Sequence, residues 1–320
     1  MPDGAYNKMI DVVFTATADN SEQHMLFYDS GSGARKPLLV ALHTWSNNYL
    51  AEKGAEAYLR WCEANDWALA FPDFRGANIS PDAMGSAKAV SDIANAVAFA
   101  KTLCAVDNTR IHLAGVSGGG HMALLAAALL PEIWAGVTAW VPIFDLEVWW
   151  RECSNNPKYE RYAKMVELCT GGMPLQGSDA WLECQKRSAS SCLTWPVPFM
   201  LDINGGLFDG REGSVPFTHS LNAFNAAADS GDRIPDTVIA EFYRTLNPPS
   251  PTACSDALYG ACRPVFRKTS GNTRVTIFHG GHGIVHSAAM NLLAKQQKGT
   301  PASWPEEKAA QTAGFQAAGL

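Results

Sequence analysis

Continuous apolar runs alternate with helix-like segments along most of this 320-residue chain. The apolar runs 37–43, 67–74, 110–117 and 135–144 are typical of strands buried on both faces. The segments with helical spacing are 52–65, 87–103 and 118–130. Parallel strands need a long crossover, usually a helix. The alternation therefore predicts an α/β fold with a mostly parallel central sheet and helices on both faces.

Two segments interrupt the alternation. Residues 145–195 are rich in Trp and Cys and contain no strand-like run, so we expect an insertion that forms a cap at the carboxyl edge of the sheet. A second irregular insertion covers about 233–263. The regular elements around it are a strand at 198–204, a helix at about 217–229, a strand at 273–281 and a helix at about 285–296. We expect one domain over 1–320, with some 35 residues before the sheet.

Composition excludes several classes of partner. The net charge of −6 disfavours binding to nucleic acid and to anionic membrane surfaces. The longest apolar region, 122–144, is interrupted by Pro131 and Glu132, which favours a buried helix and strand over a membrane span. The first 20 residues contain no apolar core of a signal peptide. We expect a small-molecule or carbohydrate substrate, no nucleic-acid or membrane partner, and leave the oligomeric state open.

Eight cysteines are many for a cytosolic enzyme. Cys62 and Cys104 lie in helix-like segments and are expected to be free thiols. The other six lie in loop-rich segments: Cys153, Cys169, Cys184, Cys192, Cys254 and Cys262. Disulfides that staple the insertions would suit a secreted or periplasmic protein, although a cytoplasmic one is the alternative. The pairing stays open, and the absence of a Cys-x-x-Cys pair weakens zinc and redox interpretations.

The stretch HLAGVSGGGHM, 112–122, places Ser117 in a Gly-x-Ser-x-Gly frame between a strand and a helix. This is the pattern of a nucleophile elbow, a turn so sharp that side chains at Gly115 and Gly119 would collide with neighbouring elements. The turn lifts the Ser117 hydroxyl to the top of the sheet. The following helix directs its N-terminus at developing negative charge, so the Gly118 N–H is a predicted oxyanion donor.

An elbow serine needs a base and an orienting acid, which follow it along the chain in the order Ser, Asp or Glu, His. The stretch FHGGHGIVH offers three histidines. His279 ends a strand and His286 begins a helix, whereas His282 lies between them in a glycine-flanked loop. We predict that His282 is the base. The three histidines lack nearby carboxylates or cysteines, which is weak for zinc, and we predict no metal or organic cofactor.

The orienting acid is less tightly defined. Asp209 lies in the loop beyond the strand 198–204, where this carboxylate is expected, and is our prediction. Asp202 lies inside that strand. Glu212, in the same loop, and Asp145, after the preceding strand, remain alternatives. Any of these side chains could also serve only a loop or a turn.

Five motifs occur in an order that resembles the α/β-hydrolases of the prolyl-oligopeptidase and acetyl-xylan-esterase type, which are also dienelactone-hydrolase-like. They are FPDFRGAN, GSAKAVSDIANAV, GVSGGG, FDGREGSVPFTHS and GGHG, and the resemblance spans about 35–296. The family's usual His-Gly after the first core strand is His-Thr-Trp here, so the resemblance implies Trp45 as the second oxyanion donor, with Thr44 the alternative. The acid loop is stretched between Asp209 and Val215. With some 35 residues before the sheet, we expect no counterpart of the propeller of true oligopeptidases.

These features predict a serine carboxylester hydrolase that acts through an acyl-enzyme on short-acyl or carbohydrate-linked esters, acetyl or feruloyl. One alternative is a small serine peptidase of the prolyl-oligopeptidase type without a propeller. Another is a non-catalytic binding protein, which would need a lost triad member. Trp149, Trp150 and Trp181 are candidate substrate-binding residues, because indoles stack on sugar rings. They could instead form the small core of the insertion.

Overall fold

The computed structural model describes residues 8–50, 54–249 and 254–305, and also the two-residue strand at 308–309. Its strands are β1 (Ile10–Thr15), β2 (Glu22–Tyr28), β3 (Lys36–Leu42), β4 (Ala68–Pro72), β5 (Val106–Val116), β6 (Gly136–Trp140), β7 (Met200–Gly206), β8 (Cys254–Ser255), β9 (Pro264–Ser270), β10 (Thr273–Phe278) and β11 (Lys308–Ala309). Its α-helices are α1 (Gly54–Asn65), α2 (Ala87–Leu103), α3 (Gly118–Leu129), α4 (Leu146–Ser154), α5 (Glu160–Thr170), α6 (Asp179–Lys186), α7 (Thr218–Ala226), α8 (Asp236–Thr245) and α9 (His286–Leu293).

The central sheet has the strand order β1-β2-β4-β3-β5-β6-β7-β10-β9. The six strands from β4 to β10 pair in parallel. The two N-terminal strands and β9 pair antiparallel. The predicted mostly parallel sheet is therefore confirmed. Because β5, β7 and β10 run in the same direction, the loops that follow them emerge at one edge of the sheet.

Helices cover both faces of this sheet, as the alternation predicts. Along β3, Leu38, Val40 and Leu42 lie in one core cluster, while Leu39 and Ala41 lie in another. This is the two-residue period of a strand buried on both sides. The first cluster includes residues of α2, α3, α7 and α8, and the second includes residues of α1 and α9.

Three antiparallel strands escaped the sequence prediction. The residues expected to precede the sheet form β1 and β2 at one edge. At the opposite edge, β9 pairs with β10 and belongs to neither the second insertion nor the predicted strand. An edge strand exposes one face and one side, so its residues do not form the continuous apolar runs that mark the central strands. In β1 most side chains are exposed or half-buried.

The insertion at 145–195 is helical, and its helices share one core cluster. Helices α4, α5 and α6 supply most of that cluster, which also includes Trp45, Met84 and Val215 from outside the insertion. Asp145 begins α4 by accepting hydrogen bonds from the backbone N–H groups of Glu147 and Val148, as a helix N-cap does.

The predicted disulfides are not formed by the described thiols. The free cysteines are Cys62, Cys104, Cys153, Cys169, Cys184, Cys192 and Cys262. Cys254 lies in β8, but its side chain is outside the described part of the chain. Three of these thiols, on α4, α5 and α6, are buried in the apolar core of the insertion. Burial raises the pKa of the Cys153 and Cys184 thiols to about 12, which keeps them protonated and unreactive. These three cysteines therefore serve the packing of the insertion.

The second insertion is only partly irregular. Within its described residues, 233–249 and 254–263, it forms α8, which buries Ile239 and Phe242 in the core beneath the sheet. No helix in the described ranges of the chain has the length and apolar character needed to cross a membrane.

Candidate active site

Ser117 stands at a strained turn between β5 and α3. Its φ of 58° and ψ of −119° fall in a region that residues with a side chain rarely adopt. The turn is held on both sides, since the Ser117 N–H donates to the Trp140 carbonyl at 2.9 Å and its carbonyl accepts from the His121 N–H at 2.9 Å. The geometry is that of the predicted elbow.

The elbow glycines are required by space rather than by backbone angle. A Cβ on Gly115 would lie 2.0 Å from the Gly119 carbonyl oxygen. A Cβ on Gly119 would lie 2.5 Å from the carbonyl oxygen of Leu42, at the end of β3. Both contacts are far shorter than van der Waals separation. Only glycine at these two positions lets α3 begin directly above the sheet.

The structure brings Ser117, His282 and Asp209 together. The His282 Nε2 atom lies 2.8 Å from the Ser117 Oγ, and its Nδ1 atom lies 2.6 Å from Asp209 Oδ2. Since the carboxylate can only accept, Nδ1 carries the proton and Nε2 is free to accept the serine proton. Asp209 is fully buried, and its other oxygen, Oδ1, accepts from the N–H groups of Gly210 and Val215 at 3.0 and 3.1 Å.

The alternative acids lie away from the His282 ring. Asp145 caps α4 and accepts from the Ser190 hydroxyl at 2.7 Å. Glu212 is exposed at the surface of the acid loop. Asp202 is buried within β7 and pairs with Arg274 at 3.0 Å. Of these carboxylates and Asp209, only Asp209 contacts the His282 ring.

The other two histidines of the 278–286 stretch point elsewhere. His279 packs edge-on against Phe208, with ring centroids 5.0 Å apart. His286 packs edge-on against Tyr58 at 4.9 Å. Among the residues that the structure describes, no group of three or more His, Cys, Asp and Glu side chains is placed to hold a metal ion.

The two predicted oxyanion donors lie side by side. A Cβ on Gly118 would lie 2.5 Å from both the backbone nitrogen and the Cα of Trp45, so the two backbones are in direct contact. Thr44, the alternative donor, directs its carbonyl at His43 Nδ1, 3.0 Å away. A fixed pair of backbone N–H groups beside the nucleophile is the arrangement that stabilises a tetrahedral oxyanion.

The insertion packs against the two loops that flank Ser117. Trp149 of α4 lies edge-on against Trp45, with ring centroids 4.6 Å apart, and donates its indole N–H to the Ser214 carbonyl at 2.8 Å. Tyr159, just before α5, donates to the Glu212 carbonyl at 2.9 Å. The insertion therefore ties the loop carrying Trp45 to the loop carrying Asp209.

Two of the three candidate substrate indoles are covered by protein. The exposed fractions of Trp149 and Trp150 are 1% and 8%, and the Trp150 indole donates to Glu167. The prediction that these two rings offer a stacking surface to substrate is therefore wrong, because both rings fill the core of the insertion. Trp181 lies half-buried in the first turn of α6, and its binding role stays a prediction.

Gly213 was not singled out from the sequence, although it touches both partners of the Asp–His pair. A Cβ there would lie 2.2 Å from Asp209 Oδ1 and 2.6 Å from the His282 Cβ. The sequence signal was the second glycine of the acid loop, DGREGS. A glycine is required there because the His282 loop packs against it, and that contact is visible only in the folded structure.

His121, on the first turn of α3, was also missed. It is fully buried, and its Nε2 donates to the Arg187 carbonyl at 2.7 Å, which links the nucleophile helix to the end of α6. Burial lowers the pKa of His121 to about 4, so this ring is neutral at physiological pH.

Comparison with known proteins gives one sequence-level match. The sequence profile of the prolyl oligopeptidase family matches residues 63–239, more than half of the 320-residue chain. That range includes Ser117 and Asp209 and ends before His282. A search of curated proteins finds no significant match.

Solved structures with the α/β-hydrolase fold share the architecture. Acylaminoacyl peptidase from Pyrococcus horikoshii is 14% identical with a TM-score of 0.57, and the match covers 94% of this chain and 43% of that one. For prolyl oligopeptidase B from Galerina marginata the identity is 13%, the TM-score 0.53 and the coverages 68% and 30%. For a putative dipeptidyl aminopeptidase IV from Bacteroides ovatus the values are 18%, 0.51, 70% and 32%. The chain spans less than half the length of these proteins. At such identities the likeness shows the α/β-hydrolase fold alone.

Proposed function

Because this chain belongs to the prolyl oligopeptidase family, a family of serine hydrolases, we propose that it cleaves amide bonds of short peptides through an acyl-enzyme on Ser117. The observation that carries the proposal is His282, which lies within hydrogen-bond distance of both the Ser117 hydroxyl and the buried Asp209 carboxylate. The family membership favours the peptidase that the sequence interpretation ranked second. Ester hydrolysis, ranked first there, becomes the second candidate.

The first half of the reaction transfers the acyl group to the enzyme. Ser117 Oγ attacks the substrate carbonyl carbon while His282 Nε2 accepts the hydroxyl proton. The resulting imidazolium is stabilised by Asp209, which also fixes the tautomer through Nδ1. His282 then donates its proton to the departing amine, and the C–N bond breaks. In the second half, His282 deprotonates water, which attacks the acyl-enzyme and releases the acid and Ser117.

The backbone N–H groups of Gly118 and Trp45 are the proposed oxyanion donors. The oxyanion forms in both halves, so each donor acts twice in a turnover. Trp45 is held from behind by Trp149, whose ring is itself anchored to Ser214. The packing of the insertion therefore positions a group that acts on the transition state.

The proposed base is accessible from solvent. The His282 side chain is 26% exposed although its acid partner is fully buried. The same triad would also cleave activated esters, because their leaving groups need less assistance from His282. A peptidase and an esterase are therefore distinguished by their relative rates on amides and esters, and not by whether esters are hydrolysed.

The test compares matched amide and ester substrates with the Ser117→Ala variant. We expect that Ser117→Ala lowers kcat/KM for both by at least about 10³-fold, because the covalent route is lost. Ser46→Ala is the matched control, since Ser46 is an exposed serine one residue from Trp45. It should keep kcat/KM within about twofold of the wild type.

The outcomes separate the candidate functions. Amide hydrolysis that depends on Ser117 supports the peptidase, whereas Ser117-dependent hydrolysis of esters alone supports the esterase. Hydrolysis that persists in Ser117→Ala would reject both assignments. Intact protein that hydrolyses neither substrate would favour the non-catalytic alternative.

A further inference from the structure

Strand β1 forms an open edge of the central sheet. It pairs with β2 on one side, and no strand among the residues that the structure describes lies on its other side. The unpaired backbone N–H and C=O groups of an edge strand are a template for another strand. Two apolar side chains of β1 are also exposed to solvent, Ile10 by 57% and Val13 by 46%.

The opposite edge of the sheet is protected against such pairing. Strand β9 begins with Pro264 and carries Lys268, and its register with β10 shifts after the first residue. Proline, lysine and irregular pairing are devices with which proteins block association between sheet edges. Strand β1, with the sequence IDVVFT, has no proline and no lysine, and its register with β2 is regular throughout. The chain therefore blocks one edge of its sheet and leaves the other open.

An uncharged groove of about 270 Å³ runs between β1 and helix α2. Its lining includes Phe14 and Thr15 of β1 and Ala98, Phe99 and Thr102 of α2, and none of its lining residues is charged. The Phe14 and Phe99 rings pack together, with centroids 5.8 Å apart. The open edge is therefore flanked by apolar surface that can accept a further side chain.

The charges around this edge favour a second copy of the chain as its partner. Two identical surfaces meet at a twofold axis, so an unpaired charge near the axis would face its own copy. A chain with a net charge of −6 therefore associates with itself most readily through an uncharged surface. The groove has no charge, and Asp11, the one charged residue of β1, accepts from the Tyr49 hydroxyl at 3.0 Å and lies 3.1 Å from His24 Nδ1.

Two antiparallel β1 strands have a self-complementary register. Directly opposed side chains of an antiparallel pair point to the same face of the sheet, so a twofold axis at Val12 places Val12 opposite its copy and Ile10 opposite Phe14. Val12 and Phe14 pack in the core cluster that includes α2, which puts all three side chains on the α2 face. On the other face Asp11 lies opposite Val13, so no like charges are directly opposed.

We propose that two copies of this chain associate through β1, antiparallel and about an axis at Val12, to form one continuous sheet. Each copy places its exposed Ile10 side chain against Phe14 of the other, beside the uncharged groove, and the two strands satisfy each other's open backbone groups. Strands β2, β4 and β3 separate β1 from the nucleophile strand β5, so the association leaves the triad unchanged. The proposal goes beyond the proposed function and does not depend on it.

Sedimentation velocity on the full chain tests the association. The wild type should be a dimer at micromolar concentrations, and Ile10→Lys should raise the dimer dissociation constant by at least about 10²-fold, because the ammonium enters the interface twice. Ile79→Lys is the matched control, since Ile79 is an isoleucine of equal exposure, 59%, outside β1 and the groove. It should leave the dimer intact. A monomeric wild type, or equal dissociation in both variants, would overturn the proposal.

Cysteine cross-linking tests the register. Opposed Cα atoms in an antiparallel pair are about 4.5–5.5 Å apart, so Val12→Cys should form a disulfide between the two copies on mild oxidation, beyond any that the wild type forms. Val13→Cys should not, because its own copy lies on a diagonal about 7–8 Å away, at the limit of what a disulfide can span. Cross-linking through Val13→Cys alone, or through neither variant, would overturn this pairing.

Hydrogen exchange of the β1 amides distinguishes other ways of covering the edge. In the dimer these amides should exchange slowly in the wild type and faster in Ile10→Lys. Slow exchange in a monomeric wild type would show that a segment of the same chain covers the edge, and fast exchange in a monomer would show an edge left open for a different partner. Either result would overturn association with a second copy.

Discussion

Replacing Gly213 by alanine should separate the Asp–His pair without removing any catalytic group. The new Cβ would lie 2.2 Å from Asp209 Oδ1 and 2.6 Å from the His282 Cβ. Carbon atoms at van der Waals contact are about 3.5 Å or more from their neighbours. The carboxylate or the imidazole must therefore shift by about 1 Å. The carboxylate is not easily moved, because Asp209 Oδ1 already accepts from Gly210 and Val215.

The size of the effect follows from this displacement. A misplacement of about 1 Å in a catalytic group costs about 10²-fold in rate. Complete loss of the orienting carboxylate in a serine triad costs about 10⁴-fold in kcat, which sets the upper limit. We expect Gly213→Ala to lower kcat by between about 10²-fold and 10⁴-fold, with KM little changed because the substitution removes no binding group. Overpacking should also lower the free energy of unfolding by about 1–3 kcal/mol.

Gly283 provides the control, since it is the residue after His282 and a Cβ there would meet nothing within 4 Å. Steady-state kinetics and thermal unfolding of Gly213→Ala and Gly283→Ala should therefore diverge, with Gly283→Ala keeping kcat within about threefold of the wild type. A Gly213→Ala enzyme with wild-type kcat would refute the reasoning, because the pair would then tolerate the displacement. Equal losses in the two variants would show that the effect comes from the loops in general.

Three further perturbations have defined outcomes. Asp209→Asn should lower kcat by up to about 10⁴-fold, whereas Glu212→Gln should change kcat by less than about threefold. Steady-state kinetics on one ester measure both effects, and a larger loss in Glu212→Gln would show that the acid is misassigned. Ser117→Gly should abolish turnover yet raise the unfolding free energy by about 1 kcal/mol, because glycine relieves the positive φ; a lower melting temperature would contradict the strain. Burial lowers the pKa of His112 from 6.5 to about 3. As the pH falls below 6.5, the unfolded chain therefore binds a proton at His112 that the folded chain does not bind, and the free energy of unfolding decreases toward pH 3. His112→Leu should reduce the slope of the unfolding free energy against pH, between pH 6 and 4, by about 1.4 kcal/mol per pH unit. Denaturant titrations that give parallel curves for the wild type and the variant would show that His112 is not the source of this pH dependence.

The central strands and the elbow were predictable because their signals are local. A strand buried on both faces must be apolar throughout, and β3, β4 and β6 are fully buried from end to end. The elbow needs glycines two residues on each side of its serine, and that spacing is written in the sequence around Ser117. Chain order then placed the acid and the base after Ser117, which favoured His282 as the base and left Asp209, Glu212 and Asp145 as candidate acids.

Features that depend on packing between distant segments were not predictable. Strand β1 is not a continuous apolar run, because Ile10, Val12 and Phe14 alternate with residues on its exposed face, so its place at the sheet edge follows only from pairing with β2. The Trp149 ring could have faced substrate or protein, and the choice was decided by Trp45 and Ser214 from two other loops. The cysteines of the insertion suggested disulfides, but three of them, Cys153, Cys169 and Cys184, fill its core as small apolar groups.

Covalent labelling at the nucleophile tests the central claim most directly. A fluorophosphonate reacts with a serine only when a base activates it and an oxyanion site receives its phosphoryl oxygen. Mass spectrometry of the labelled wild type should show one adduct per chain, mapped to the peptide that contains Ser117. The His282→Ala variant should react at least about 10²-fold more slowly. An unlabelled wild-type protein, or an adduct that survives in Ser117→Ala, would contradict the assignment of this chain as a Ser117-dependent hydrolase.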